Sequence, residues 1–445
     1  MKEDWAECKI IDIAQILNGD RGKNYPSRAH YTKYGIPFIS AGNITEKNSL
    51  NIETLNYISQ ERFELLRSGL LLKNDIIYCI RGSLGKYAIF NLESKGAISS
   101  SLMIIRNLHI NNLFLYYYLG SPSVKYQISI FDNGTAQPNL AAKDFCKFKF
   151  PLPPLPEQRA IVKKIETLFS SLDAGIADLK KSQEQQKIYR QAVLKKAFEG
   201  ELTNTKIIRK KFSEISSTIG DGLHGTPKYD IDGKYYFING NNLNDGVIII
   251  KPETKKVNET EYLKYKKGLN NLTVFVSING TIGNTAFYNN EPIILGKSAC
   301  YINLLEDIDK KYIHYHLKTT EFLNYALKNA TGSTIKNVGL KTMREYLVPI
   351  PLLLENQQQI VKEIESRLSI CDAVEKQIKN SLDQAEALRQ SILKKAFEGS
   401  LLTEEELRAC KAEPDYEPAS VLLKRIKAEK EVHKPVKKIS KKKVS

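Results

Sequence analysis

The stretch Leu194-Lys-Lys-Ala-Phe-Glu-Gly200 occurs twice in this chain of 445 residues, because Leu393-Lys-Lys-Ala-Phe-Glu-Gly399 repeats every letter of it. The likeness continues upstream, where Ile161-Val-Lys-Lys-Ile-Glu166 corresponds to Ile360-Val-Lys-Glu-Ile-Glu365. Solenoid repeats have periods of roughly 20–50 residues, whereas these copies are far enough apart to enclose a whole domain. The pattern predicts a duplicated module of domain size, which suits a target with two parts.

Each repeated stretch ends a segment with the hydrophobic spacing of a long helix. Apolar residues in 157–200 and 355–399 recur at steps of three and four, as along a coiled-coil stripe. Prolines precede both segments, and Gly200 and Gly399 follow them as caps. A helix of about 44 residues reaches about 66 Å. Because one chain carries both stripes, we expect the two helices to pair antiparallel. The stripe residues assigned to helix pairing or to a subunit interface are Ile161, Ile165, Leu168, Leu172, Leu179, Ile360, Ile364, Val374, Ile378, Leu388 and Ile392.

The segments between the helices are rich in Gly, Asn, Tyr and β-branched residues, which is typical of short strands and turns. The sequence therefore predicts an α+β fold with an internal pseudo-twofold repeat. Two globular mixed α/β modules are separated by two long antiparallel helices that form a coiled coil. The predicted divisions are a first module at 1–148, a first helix at 149–204, a second module at 205–346, a second helix at 347–402, and a C-terminal segment at 403–445 with a basic, disordered tail.

Composition limits the kind of partner and the compartment. The net charge is +16, and six lysines fall within the last twelve residues, so a polyanion is the favoured partner and a solvated basic surface the plainer reading. The six cysteines have neither metal-ligand nor disulfide-framework spacing, which favours free thiols in a reducing compartment. No apolar run approaches the roughly 18 residues of a membrane span. We expect a cytoplasmic protein without a metal site.

Sequence motifs of common catalytic sites are missing from the chain. Gly85-Lys86 and Gly296-Lys297 lack the earlier glycine of a phosphate-binding loop, and no GxSxG, HExxH or GxGxxG motif is present. The Pro-Pro-aromatic tetrapeptide of amino-methyltransferases is absent too, since Pro153-Pro154 lies between leucines. The sequence thus predicts a binding protein with no catalytic residues.

The globular segments instead carry polar, basic and aromatic side chains on loops. Arg, Asn and Gln can pair with base edges, whereas Lys, Ser and Thr hold phosphates. Asn and Gly are also common in turns for purely conformational reasons. The candidate DNA contacts of the first module are Arg21, Lys23, Tyr25, Ser40, Asn43, Arg81, Lys86 and Gln137. Those of the second module are His224, Thr226, Lys228, Asn239, Asn241, Asn242, Asn279, Lys297 and Lys336.

Several motifs together resemble the specificity subunit of Type I restriction–modification systems, the HsdS family. The proline-rich start Pro151-Leu-Pro-Pro-Leu-Pro-Glu-Gln158 and the helix end around Leu194–Leu202 resemble that family's repeated regions. Gly134-Thr-Ala-Gln-Pro-Asn-Leu140 resembles the motif that closes a target-recognition domain, and Glu417–Leu423 a C-terminal segment of the family. The second copy departs at Leu353-Leu-Glu-Asn-Gln357, which changes the local turn.

This resemblance implies a function that agrees with the composition. Each globular module would be a target-recognition domain that reads one half of an asymmetric, interrupted double-stranded DNA site, and the helices would set the gap. Partners would be two modification subunits that use S-adenosylmethionine to methylate adenine at N6, and restriction subunits that use ATP and Mg²⁺. No cofactor is expected on this chain.

Three other interpretations stay open at the level of sequence. The first is a scaffold whose two modules bind proteins, which salt-sensitive DNA binding would distinguish from a DNA reader. The second is a stand-alone nuclease or methyltransferase, against which the missing motifs argue. The third is an orphan specificity subunit that serves modification alone, or a shuffled variant whose recognition domains recombine with other copies.

Overall fold

The computed structural model describes residues 2–132 and 138–432. The chain divides into two compact units, Met1–Ala177 with Leu382–Ser445 and Asp178–Ser381. Each unit contains one globular module with the first half of one long helix and the second half of the other. The predicted disordered tail after Lys434 lies outside the described residues.

The first module consists of short strands with a few helices, and the first long helix follows it. Its strands are β1 (Ala6–Lys9), β2 (Ala14–Asn18), β3 (Ile36–Ile39), β4 (Asn56–Ile58), β5 (Leu70–Leu71), β6 (Ile76–Cys79), β7 (Tyr87–Ile89), β8 (Gly96–Ile98), β9 (Leu102–Asn107) and β10 (Lys149–Leu152). Its helices are α1 (Ile10–Ile13), α2 (Gln60–Glu64), α3 (Asn112–Leu119), α4 (Pro122–Phe131) and α5 (Ala142–Phe145), followed by the long helix α6 (Leu155–Phe198). Short 3₁₀ turns lie at Arg28–His30, Ala41–Asn43 and Ile52–Thr54.

Two four-stranded sheets share the core of this module. One has the order β2-β9-β6-β7 and is antiparallel, and the other has the order β4-β3-β8-β5 with β3 and β8 parallel. Strand β6 alternates strictly, as side chains of successive strand residues point to opposite faces. Ile76 and Tyr78 belong to the cluster that includes α3 and α6, whereas Ile77 and Cys79 belong to the cluster between the sheets. The central sheet is therefore covered on both faces.

The second module has a similar set of elements. Its strands are β11 (Ile208–Lys211), β12 (Ser216–Asp221), β13 (Tyr235–Ile238), β14 (Leu243–Asn244), β15 (Val247–Ile248), β16 (Lys256–Val257), β17 (Thr273–Ser277), β18 (Thr285–Phe287), β19 (Ile293–Leu295), β20 (Ala299–Leu304) and β21 (Leu347–Ile350). Its helices are α7 (Glu259–Tyr265), α8 (Lys310–Leu317), α9 (Thr320–Lys328) and α10 (Leu340–Glu345), followed by the long helix α11 (Leu354–Phe397). Short 3₁₀ turns lie at Phe212–Glu214 and Gly240–Asn242.

The strand orders of the second module repeat those of the first in part, because its smaller sheet β16-β13-β19 has three strands instead of four and β14 and β15 form a separate pair. The sheet β12-β20-β17-β18 corresponds to β2-β9-β6-β7, and the parallel pair β13–β19 corresponds to β3–β8. Strand β17 alternates as β6 does, because Val274 and Val276 join the cluster that includes α8 and the long helices while Phe275 joins the other. The predicted fold class, with two mixed modules and an internal repeat, is confirmed.

Each long helix ends at a glycine whose backbone is left-handed. Gly200 has φ +80° and Gly399 has φ +79°, a region that glycine adopts without steric cost. The amide of Glu201 donates to the carbonyl of Lys196 (2.9 Å), and that of Ser400 to the carbonyl of Lys395 (2.9 Å). This six-to-one bond is the Schellman arrangement that closes a helix C-terminus, so the repeated glycines do cap the helices as predicted.

The helices pair antiparallel within each unit. In the first unit the beginning of α6, at Ile161 and Ile165, shares a core cluster with Ile392 near the end of α11. Further along α6, Asp173 accepts a hydrogen bond from Arg389, which lies earlier in α11. The two helices therefore run in opposite directions. In the second unit, Arg190 near the end of α6 donates to Asp372 of α11 (2.5 Å).

One joint holds each module to a long helix, and it is built the same way twice. The Gln158 amide oxygen accepts from the backbone N–H of Asn111 (2.8 Å), and its amide nitrogen donates to the carbonyl of Pro153 (2.8 Å). Gln357 accepts from the backbone N–H of Asp309 (2.8 Å) and donates to carbonyls of 307 and 351. Both glutamines are fully buried. The sequence change around Leu353 therefore leaves this joint intact.

The C-terminal segment adds two helices to the first unit, α12 (Glu404–Lys411) and α13 (Ala419–Val432). Leu422 and Ile426 of α13 are buried in the core of that unit. Arg159 at the start of α6 forms two hydrogen bonds to Asp415, at 2.7 and 2.8 Å. Among the described residues, no helix is long and apolar enough to cross a membrane.

Candidate nucleic-acid interface

The predicted helix-pairing residues divide by position along the helices. Those near the helix starts are buried, as are Ile392 near the end of α11 and Ile378 near its middle, whereas the other residues near the middle of the helices are partly buried. Ile161, Ile165, Ile360, Ile364, Ile378 and Ile392 are buried, and Leu168, Leu172, Leu179 and Val374 are partly buried. Leu388 is 51% exposed and its repeat counterpart Tyr189 is 47% exposed. Leu388 is therefore no part of the buried stripe, and it stays a predicted subunit-interface residue only.

A cavity of about 380 Å³ opens in the first module. It lies where β2, the end of β6 and the start of α5 meet. The described residues that line it are Asn18, Arg21, Ile80, Arg81, Asn139, Leu140, Ala141, Ala142 and Lys143. Three of these carry positive charge and none is acidic. An opening lined by positive charges and by no negative ones attracts anions such as the phosphates of a nucleic acid.

The loop that carries Arg21 and Lys23 is held by the buried carboxylate of Asp20. This carboxylate accepts hydrogen bonds from the backbone N–H groups of Arg67 (2.8 Å) and Gly22 (2.6 Å). These bonds, with the one from Arg67 contributing most, hold the pKa of Asp20 below its usual range. The loop is thus ordered from inside, while Arg21 and Lys23 are exposed and Tyr25 is half-buried beside Phe38.

Arg81 meets the segment that closes the module. Arg81 and Asn139 form an isolated antiparallel bridge, and the Arg81 Nε donates to the Asn139 side-chain oxygen at 3.4 Å. The loop between β6 and β7 turns at Gly82 and Gly85, both with positive φ. Lys86 is engaged by Glu46 at 2.5 Å, which neutralises its charge locally. Gln137 lies outside the described residues.

Ser40 and Asn43 have a structural task in the first module, as do Asn239 and Asn242 in the second. The Asn43 side-chain oxygen accepts from the Ser40 backbone N–H (2.8 Å), and its amide donates to the Thr54 carbonyl (2.6 Å). Asn242 accepts from the Asn239 N–H (2.9 Å) in the same way. Asn43 and Asn242 are buried, at 3% and 6% exposure. Their side-chain amides shape turns, so Asn43 and Asn242 are not among the proposed DNA contacts.

The second module presents different side chains in the same places. Asn18 pairs with Met103 of β9, and Asp221 pairs with Cys300 at the equivalent position of β20. His224, three residues after Asp221, therefore corresponds to Arg21, three residues after Asn18. His224 Nε2 lies 2.6 Å from the Asp221 carboxylate, which orients the ring. Thr226, Lys228, Asn241, Lys297 and Lys336 are exposed, and Asn239 is half-buried with its side-chain oxygen accepting from Ser298 (3.1 Å).

Asn279 stands where the first module has Arg81. Asn279 and Asn337 form the corresponding isolated bridge, and the Asn279 amide donates to the Asn337 side-chain oxygen at 3.1 Å. The backbone around them matches as well, since Gly82 donates to the carbonyl of Pro138 (3.3 Å) and Gly280 to that of Lys336 (3.0 Å). The two modules thus share the backbone arrangement at this position, whereas the side chain is arginine in one and asparagine in the other.

Sequence reasoning missed Asn18, Asn139 and Lys143 in the cavity lining. Asn18 ends an ordinary strand and gives no signal of its own. Asn139 belongs to the motif Gly134–Leu140, in which Gln137 alone was predicted to contact DNA. Alignment of that motif with Gly332–Met343 would have identified Asn139 and Lys143, because both recur there as Asn337 and Lys341.

Two mixed modules, each joined to a long helix by the same buried glutamine and each presenting a different polar set, define a class of protein with paired recognition domains on a common helical scaffold. The sequence model of one family, described as the Type I restriction modification DNA specificity domain, matches residues 2–190 and 226–384. The chain belongs to this family. The two matched ranges follow the internal repeat.

Individual relatives cover nearly the whole chain. The Type I restriction enzyme EcoBI specificity subunit of Escherichia coli is 25% identical over 96% of this chain and 93% of its own length. The StySPI specificity subunit of Salmonella potsdam is 26% identical over 97% and 96%. A solved structure of the HsdS subunit from Thermoanaerobacter tengcongensis covers 90% of this chain and 98% of its own, with 18% identity and a TM-score of 0.55.

A further solved chain has the same fold. It comes from a structure described as the basis of complex assembly and conformational transition of the Type I R-M system. It covers 90% of this chain and 99% of its own with 19% identity and a TM-score of 0.71. The fold of this chain is thus that of solved specificity subunits.

Proposed function

We propose that this chain selects the DNA site of a Type I restriction–modification complex and that each module reads one part of an asymmetric, interrupted sequence. One observation carries the proposal: the two modules present Arg21 and Arg81 in one copy and His224 and Asn279 in the other from equivalent backbone positions. A repeated frame with different polar side chains suits two readers of different sequences.

The partners follow from the family and the repeat. A pseudo-twofold chain offers a similar surface twice, which suits two copies of one partner, and we propose two modification subunits. Restriction subunits would join the same assembly and make it a host defence against foreign DNA. The exposed Tyr189 and Leu388, equivalent residues of the two helices, are candidate contacts for these partners.

The chain itself would take no part in chemistry. S-adenosylmethionine would bind to the modification subunits, and ATP and Mg²⁺ to the restriction subunits. The role of this chain would be to place adenine where a partner can methylate it at N6. Since such enzymes take the target base out of the stack, the chain would also have to grip the DNA backbone.

The proposed DNA contacts are the exposed or half-exposed members of the predicted set. In the first module these are Arg21, Lys23, Tyr25, Ser40, Arg81 and Lys86, with Gln137 retained from the sequence alone. In the second module they are His224, Thr226, Lys228, Asn239, Asn241, Asn279, Lys297 and Lys336. Arg and Asn would read bases, whereas the lysines would hold phosphates.

Methylome sequencing tests this proposal. The chain is expressed with its neighbouring modification subunit in a host that lacks adenine methylation of its own, and N6-methyladenine is mapped with and without the gene for this chain. We expect methylation at one interrupted two-part motif only when the gene is present. If adenine methylation is identical in both strains, the chain would instead be an inactive reader or a protein-binding scaffold.

A further inference from the structure

The segments that close the two modules differ at most positions but keep a few residues. Residues 134–145 read Gly-Thr-Ala-Gln-Pro-Asn-Leu-Ala-Ala-Lys-Asp-Phe, and residues 332–343 read Gly-Ser-Thr-Ile-Lys-Asn-Val-Gly-Leu-Lys-Thr-Met. Identical in both are a glycine, an asparagine (Asn139 and Asn337) and a lysine (Lys143 and Lys341). Two readers of different sequences still share one task, which is to hold the DNA backbone.

The retained lysines occupy equivalent positions, Lys143 in α5 and Lys341 in α10. Lys143 lines the cavity beside Arg21 and Arg81, and the described lining contains no carboxylate. Three cations around one opening repel one another unless an anion lies between them. Lys143 and Lys341 are both exposed, and neither forms an ion pair with any described residue. Their ammonium groups are therefore available to a ligand.

The retained asparagines have a separate task. Asn139 accepts a hydrogen bond from Arg81, and Asn337 accepts one from Asn279. The residue that changes between the copies is thus oriented by the residue that does not. Backbone bonds fix the asparagines in turn, because Leu140 donates to the carbonyl of Ile80 (2.9 Å) and Val338 to that of Ile278 (2.8 Å).

We infer that Lys143 and Lys341 are the shared DNA-phosphate contacts of the two modules, and that Asn139 and Asn337 are positioning residues for the base-reading side chains at 81 and 279. This inference rests on the proposed function, and it assigns phosphate contact and base reading to different residues of the proposed site. Lysine, a flexible point charge, binds phosphate without reading sequence. Arginine and asparagine, with bidentate geometry, carry the sequence preference.

The test compares salt dependence with sequence preference in the full chain assembled with its modification subunits. Two short duplexes are used, one with the motif found by methylome sequencing and one with that motif scrambled. Affinity is measured from about 50 to 200 mM salt. The variants are Lys143→Gln, Lys341→Gln and Arg81→Gln. Lys95→Gln is the matched control, since Lys95 is an exposed lysine of the first module outside the cavity lining.

We expect Lys143→Gln and Lys341→Gln each to lower the slope of log affinity against log salt by about 0.9 on both duplexes. The ratio of affinities between the duplexes should not change. Arg81→Gln should lower that ratio, at roughly tenfold or more for a bidentate base contact. Asn139→Ala should lower the ratio and leave the slope as in the wild type.

Two results would overturn the inference while the proposed function stands. One is a wild-type complex that prefers the motif while Lys143→Gln has the same slope as Lys95→Gln. The other is a Lys143→Gln complex whose loss is confined to the motif duplex, which would make the lysine a base reader. A wild-type complex with no salt-dependent binding to either duplex would overturn both the inference and the proposed function.

Discussion

Arg389 donates a hydrogen bond to Asp173, and the repeat places an equivalent pair in the other unit, where Arg190 donates to Asp372. The sequence identity of the helices thus extends to a charge pair in the same register. The surroundings differ, because the Arg389 guanidinium lies 4.4 Å from the centre of the Phe169 ring, whereas Arg190 also reaches Glu375 at 3.1 Å. One arginine is supported by an aromatic face and the other by a second carboxylate.

Removal of Arg389 should weaken the first unit. Pairs with partly exposed members contribute roughly 0.2–1 kcal/mol, and a cation–π contact about 0.5–1 kcal/mol. We expect Arg389→Ala to lower the free energy of unfolding by about 1 kcal/mol. Trp5, the one tryptophan of the chain, lies in this unit, so its fluorescence follows urea unfolding there. A double-mutant cycle with Asp173→Ala separates the ion pair from the ring contact; a coupling energy of zero would mean the pair contributes nothing.

The glutamine joint should matter more than the charge pairs. In Gln158→Met, which keeps the side-chain length, the backbone N–H of Asn111 and the carbonyl of Pro153 lose their partners. A buried unpaired group costs about 1–3 kcal/mol, so we expect a loss of about 2–3 kcal/mol in the transition that Trp5 reports. Gln357→Met is the matched variant in the second unit, and hydrogen exchange should detect its loss around Asp309. A Gln158→Met chain as stable as the wild type would show that water or rearrangement replaces these bonds.

The second unit should lose stability in acid through His316. Its ring is fully buried between Phe198 and Tyr346, and burial lowers its pKa from 6.5 to about 3. The unfolded chain takes up this proton at a higher pH than the folded chain. The contribution is therefore complete above about pH 6.5 and is lost as the pH falls toward 3, by up to about 1.4 kcal/mol per pH unit.

Replacement of His316 by an uncharged residue should flatten this dependence. We expect His316→Gln to reduce the slope of unfolding free energy against pH between 6.5 and 3, measured by urea titrations with circular dichroism. The control is His224→Gln, because His224 is an exposed histidine of the same unit. Equal slopes for the wild type and His316→Gln would show that the buried ring does not carry the acid sensitivity.

The helices should determine the length of the unread gap. A heptad inserted after Ser182 of α6 and after its counterpart Ser381 of α11 preserves the register of both arginine–aspartate pairs. Seven helical residues add about 10 Å, or roughly three base pairs, so the methylated motif should contain a correspondingly longer gap. Insertion in α6 alone breaks the register and should abolish assembly. A double insertion that methylates the original motif unchanged would contradict a role of the helices in spacing.

The sequence was sufficient for the large features of this fold and for part of the site. The hydrophobic spacing, the prolines and Gly200 act through local interactions. The long helices and their ends could therefore be predicted from the sequence alone. Leu388 fits the same periodicity but is exposed, because steps of three and four do not distinguish the packed edge of a stripe from its open edge. Which residues face the core is a tertiary property.

The candidate site was harder, for two physical reasons. Asn43 and Asn242 have the side chain of a base reader, yet burial turns their amides toward backbone partners, and burial is not visible in a loop sequence. Arg21 and His224 correspond through strand register, although they lie 203 positions apart and the repeated helix ends lie 199 positions apart. The structure supplies that alignment, and with it the comparison between the two readers.

A module exchange tests the central claim most directly. Residues 1–148 are replaced by the corresponding module of a relative with a different known motif, and the methylome of the host is sequenced. We predict that one half of the methylated motif becomes that of the relative while the other half and the gap stay as they were. A motif that changes in both halves, or in neither half, with a folded and assembled chain, would contradict the claim that each module reads its own part of the DNA.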